Sequence, residues 1–139
     1  MFSLSAILIA ASAGLIFFLG SMHLLLTYRG SAFHPRDAGL VAMLQADSPR
    51  ISRETSMWRA ALGFHASHSL GAILFGLIYG YLALEGTGLL FHSTFLLALG
   101  LCGLSAYLLL AHRYWFKAPQ RGIALAWGLY GAGLLALLR

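Results

Sequence analysis

Residues Ala60–Leu84 read AALGFHASHSLGAILFGLIYGYLAL, and no Asp, Glu, Lys or Arg interrupts them. Crossing a hydrocarbon core takes roughly 20 apolar residues in a helix, so this run predicts a transmembrane span. Its composition also predicts which side faces protein. His65, His68, Ala72, Gly76, Gly80 and Ala83 follow one another at steps of three and four, which places them on one helical stripe. Small residues let helix backbones approach closely in lipid, so this stripe is expected to be the contact face. Leu70, Leu74, Leu77 and Ile78 fall elsewhere and suit lipid. An ionisable side chain at membrane depth is costly and usually faces the protein interior, so His65 and His68 are candidate site residues.

Three further stretches lack charge: Met1–Tyr28, Gly86–His112 and Gly122–Leu138. The chain is 60% hydrophobic and 9% charged, and its mean hydropathy is +0.81. Together these features predict an all-α integral membrane protein, an antiparallel four-helix bundle forming one domain over 1–139. The expected helices cover about 3–27, 57–84, 89–113 and 121–138. The first stretch has no basic residue ahead of it and is too long for the apolar core of a signal peptide, so it is read as a retained helix. The single cysteine, Cys102, allows no internal disulfide and no thiolate cluster.

The basic residues report threading. Arg29, Arg36, Arg50, Arg53 and Arg59 cluster around the first connection, and Arg113, Lys117 and Arg121 around the third. The second connection, Glu85–Gly88, has none, and the C-terminus has Arg139 alone. The positive-inside rule puts the first and third connections in the cytoplasm and both termini outside, in a bacterial inner membrane. Tyr28, Trp58, Tyr114, Trp115 and Phe116 supply an aromatic belt at that face. The net charge of +5 is thereby explained by topology and anionic-lipid contacts, and nucleic acid is not an expected partner.

The cytoplasmic connection 28–56 is not featureless. Pro35 is a good first helical residue, and Leu40, Val41, Met43 and Leu44 recur at helical spacing. A short amphipathic helix over 35–46 is expected on the membrane surface or packed under the bundle. Ser48-Pro49 ends it, and Thr55 or Ser56 can cap the second span. Glu85-Gly86-Thr87-Gly88 is a tight turn, and Ala118-Pro119-Gln120 a corner. Seams of small or polar residues are expected on the other spans too: Ser12 or Ala13, Ile16, Gly20, His23 and Thr27 on the first; Ala98, Cys102, Ser105 and His112 on the third; Ala124, Gly128 and Gly131 on the fourth.

Depth sorts the six histidines. His23 lies six residues before Arg29 and His65 six after Arg59, so both sit roughly 9 Å inward of those arginines at about 1.5 Å per residue. His68 is one turn deeper. His34 belongs to the loop, His112 to the headgroup zone and His92 to the opposite face. Three readings compete for His23, His65 and His68. They can be interhelical hydrogen-bonding groups, with no cofactor bound, which is the leading expectation. They can bind a cofactor, either the axial ligands of a b-type haem or a transition metal held by His65 and His68. Or they can carry out proton transfer or small-ligand chemistry at the cytoplasmic leaflet, with a proton-coupled carrier as the remaining alternative. No carboxylate lies within the spans to complete a catalytic set, so a non-enzymatic role leads.

The run Gly63-Phe-His-Ala-Ser-His-Ser-Leu-Gly71, then Phe75-Gly-Leu-Ile-Tyr-Gly80, with the Met-His-Leu-Leu string at Met22–Leu25, resembles a group of small four-helix bacterial inner-membrane proteins. The resemblance covers most of the chain. It implies the fold and brings no activity with it. The leading expectation is therefore a small membrane accessory or scaffold protein that packs with itself or with other membrane proteins. The alternatives are a cofactor-binding or small-ligand-binding protein centred on the histidines, and a proton-coupled carrier.

Overall fold

A computed structural model describes residues 2–138. Arg139, counted in the threading, lies outside the described residues. Six helices account for the ordered elements, and no strand occurs among the described residues. They are α1 (Leu4–Tyr28), α2 (Ala38–Ala46), α3 (Met57–Leu84), α4 (Leu89–His92), α5 (Thr94–Tyr114) and α6 (Lys117–Leu137). Three of them, α1, α3 and α5, are long and apolar enough to cross a membrane.

Four features depart from the sequence reading. α6 does not join the three apolar spans, because Lys117, Gln120 and Arg121 occupy its first turns. It also begins earlier than expected: Pro119 sits inside its first turn, where a missing N–H costs nothing. The run 89–113 is not one helix. Ser93 takes an extended conformation, and its hydroxyl accepts from the Leu96 amide, capping α5 and cutting α4 from it. Finally, α2 starts at Ala38 rather than Pro35, because the Asp37 carboxylate accepts from the Gly39 amide and fixes the start.

Contacts divide the chain into two compact units. The first contains residues up to Leu19 and from Ala72 onward. Here Ser12 of α1 donates to the Ala126 carbonyl of α6 at 2.7 Å. Gly133 of α6 lies against Ile9, and Gly122 against Leu19. Rising numbers on α1 thus meet falling numbers on α6. Gly76 of α3 lies against Ala13 and Phe17 of α1, and Gly80 against Ala13. Tyr79 of α3 donates to the Leu96 carbonyl of α5 at 2.9 Å, and Tyr130 of α6 donates to Leu97 at 3.1 Å. Tyr130 is fully buried, with Ile9, Leu90, Leu104 and Ala126 as comparably enclosed neighbours in the core.

The second unit is Gly20–Gly71. It contains the end of α1, the 29–37 connection, α2, the 47–56 connection and the first half of α3. Gly30, with φ of +83°, turns the chain out of α1 in the left-handed region that favours glycine. The Asp47 carbonyl at the end of α2 accepts from the Met57 amide at 2.9 Å, tying that end to the first residue of α3. Ser56 caps α3 by accepting from the Arg59 amide.

Candidate functional site

The second unit brings His23, His65 and His68 together. His23 Nε2 and His65 Nδ1 are 3.2 Å apart and hydrogen-bonded. The His68 ring stands edge-on to His23 with centroids 5.3 Å apart. All three rings are half-buried. Thr27 donates to the His23 carbonyl, and Ser69, fully buried, donates to the His65 carbonyl. Such i to i−4 bonds hold the hydroxyls within the helix and satisfy them there.

Phe33, from the connection after α1, completes the group. Its ring stacks on His65 at 5.0 Å with an interplanar angle of 13°, and lies 4.5 Å from His23. Sequence reasoning missed Phe33. Its only signal is its place next to His34, in a connection short enough to fold back on α1. His34 meets Trp58 edge-on at 4.8 Å.

His92 and His112 belong to the first unit and have partners of their own. His92 Nδ1 bonds the Gly88 carbonyl, and His112 Nδ1 meets Gln120 Nε2 at 3.0 Å.

A hydrogen bond between two imidazoles needs one donor and one acceptor nitrogen. His23 and His65 can therefore share one excess proton but cannot both be cationic while bonded. A haem iron between them would need nitrogens about 4 Å apart, twice the usual ~2 Å metal–imidazole distance, with a flat macrocycle in the gap. At 3.2 Å, with Phe33 on the His65 face, the His23–His65 pair does not bracket a haem iron. No set of three His, Cys, Asp or Glu among the described residues is arranged to hold a metal ion. Every buried side-chain nitrogen or oxygen among them has a hydrogen-bond partner.

The packing residues divide by helix. Gly20, Ala72 and Gly76 are buried, and Gly80 is half-buried. The seams expected on the last two helices face the other way. On α5, Ala98, Cys102, Ser105 and His112 are exposed, while Gly100, Leu104 and Ala111 are buried. On α6, Ala124 and Gly128 are exposed and Gly131 is half-buried, and a Cβ at either glycine would meet nothing within 4 Å. The chain packs α6 through Ile123, Ala126, Tyr130 and Gly133 instead. The reason is Tyr130. Its bulk needs a recess, and Gly100 provides it: a Cβ at position 100 would collide with the Tyr130 hydroxyl and the Tyr79 ring. That fit turns Gly100 and Tyr130 inward and leaves Ala98, Cys102, Ser105, Ala124 and Gly128 on the outer faces. Trp127 bridges the two outward faces by donating from Nε1 to Ser105 Oγ at 2.9 Å.

Comparison of the chain with protein-family models, with curated proteins and with solved structures finds no match.

Proposed function

We propose that the chain is a bacterial inner-membrane accessory or scaffold protein, built as an antiparallel four-helix bundle of α1, α3, α5 and α6. It packs through the outward face of α5 and α6 against another membrane protein or a second copy of itself. Three apolar helices support the membrane setting. The α1–α6, α1–α3 and α3–α5 contacts, each pairing rising with falling residue numbers, support the antiparallel arrangement. Basic clusters around 29–59 and 113–121 support cytoplasmic first and third connections, with both termini outside.

One observation carries the functional reading. Ala98, Cys102 and Ser105 on α5, and Ala124 and Gly128 on α6, are small residues that face away from the chain's own core, while Gly100, Ala111, Ala126 and Gly133 of the same helices face into it. Within a bilayer, close backbone approach and interhelical hydrogen bonds drive helix association, and small residues permit both. Trp127 beside them offers a large ring of the kind enriched at protein contacts. The His23–His65 pair serves in this reading as an internal hydrogen bond that fixes the α1 and α3 ends of the second unit.

Purification in a mild detergent after crosslinking in native membranes tests it. A specific adduct, of twice the chain mass or with a second protein, is the expected result. Recovery as an isolated monomer under all crosslinking conditions contradicts it.

A further inference from the structure

The helix α2 poses a problem that the chain itself does not solve. Its sequence, AGLVAMLQA, carries no charge and is mostly apolar, yet none of its residues is buried. Met43 is 69% exposed and Leu40 43%. Both lie, with Leu44, on one side of the helix, and Gln45, Ala38 and Ala42 lie on the other. Just beyond α2, Ile51 is 95% exposed between Arg50 and Arg53. Water is a poor environment for such a face, and the chain leaves Leu40 and Met43 exposed on it while covering Leu44 only in part.

The backbone fixes where this face sits. The Asp47 carbonyl accepts from the Met57 amide, so the end of α2 is level with the first residue of α3. α3 is 28 residues long, about 42 Å at the helical rise, while a hydrocarbon core is about 30 Å thick. About 12 Å of it therefore lies outside the core, and exposed Arg59 marks the first turn as an end that sits in the headgroup layer, with α2 beside it. Charge agrees. Arg29, Arg36, Arg50, Arg53 and Arg59 are all exposed in this unit. Two of its three acidic side chains are turned to local backbone, Asp37 to the Gly39 amide and Asp47 to the Ser48 amide.

We infer that α2 and Ile51 form a membrane-docking surface, resting on the membrane setting proposed above. Leu40, Met43, Leu44 and Ile51 enter the boundary between headgroups and acyl chains. The surrounding arginines hold anionic lipid phosphates. An apolar face beside cationic side chains is the pattern that lies in the plane of an anionic leaflet. The partner is the bilayer itself.

The test uses the full chain in proteoliposomes, with single cysteines in a Cys102→Ser background carrying an environment-sensitive fluorophore. Labels at Met43→Cys and Ile51→Cys are expected to shift to the blue, to be quenched more by lipids spin-labelled near the headgroup than by lipids labelled deep in the chain, and to escape aqueous iodide. A label at Gln45→Cys is expected to remain open to iodide. Anionic spin-labelled lipid should quench the Ile51→Cys label more than its zwitterionic counterpart at equal mole fraction. Arg50→Gln with Arg53→Gln should bring the two to parity. A label at Leu74→Cys, exposed in the middle of α3, reports the setting itself. If it is quenched by deep spin labels while the Met43→Cys and Gln45→Cys labels are equally open to iodide, the docking surface is wrong and the membrane setting stands. If it too is open to iodide, the membrane setting is wrong.

Discussion

Gly76 of α3 rests against Phe17 of α1 so closely that a Cβ at position 76 would lie 2.5 Å from the Phe17 Cβ and 2.7 Å from the Ala13 carbonyl oxygen. Backbone atoms stand on the far side, so the neighbour cannot simply rotate away. Gly76→Ala is expected to destabilise the fold by about 1–3 kcal/mol, the usual cost of overpacking a well-filled contact. Gly63→Ala, where a Cβ meets nothing within 4 Å, serves as the control and should be neutral or slightly stabilising through helix propensity. Reversible unfolding in mixed detergent micelles measures both.

Tyr130 and Gly100 form the second close fit, with the Tyr130 hydroxyl donating to the Leu97 carbonyl. Tyr130→Phe keeps the ring and loses that bond. It should cost about 0.6 kcal/mol, the mean for polar contacts between membrane helices. Tyr130→Ala removes the ring and should cost about 3–5 kcal/mol, as large-to-small core changes do. The same unfolding assay separates the two, and equal losses would contradict the packing role assigned to the ring.

These contacts mark how far the sequence could be read. Three apolar spans were legible, at about 3–27, 57–84 and 89–113, because length and charge decide a span. So was the depth match of His23 with His65, since helical rise is constant. The inward faces of α5 and α6 were not. Smallness says that a face can be approached, not by whom, and Tyr130 took the inward side instead. The break at Ser93 has only a Ser-Thr pair within an apolar run as its signal, and apolar length outweighs that N-cap pattern. Phe33 escaped because loop residues carry no periodicity.

The His23–His65 bond has a spectroscopic consequence. Nitrogen-15 NMR of the imidazoles should show one donor and one acceptor nitrogen facing each other, with His23→Ala shifting the His65 signals and leaving His112 unchanged. His65 imidazole signals blind to His23→Ala would contradict the bond.

Glu85 ties the turn between α3 and α4. Its carboxylate is held below the usual carboxylate range first by the Thr87 side chain, then by the Thr87 amide and by the Leu89 and Gly88 amides. A depressed folded value means that the stabilisation is present above the unfolded pKa and lost as pH falls through the folded one. Hydrogen exchange at the Thr87 and Leu89 amides should therefore keep its protection at neutral pH and lose it on the acid side. Glu85→Gln should weaken that protection at neutral pH and flatten its acid dependence.

The outward face of α5 and α6 is read most directly through Cys102, which is native, exposed and on that face. Thiol crosslinking in native membranes should yield a discrete Cys102-dependent adduct, to a second copy or to one other protein, that diminishes when Ala124 and Gly128 are both changed to Leu. A cysteine at Leu70, exposed on α3, in a Cys102→Ser background should yield none. Equal adducts from both positions, or none from Cys102 at any crosslinker length, would contradict the assignment of this face to a partner.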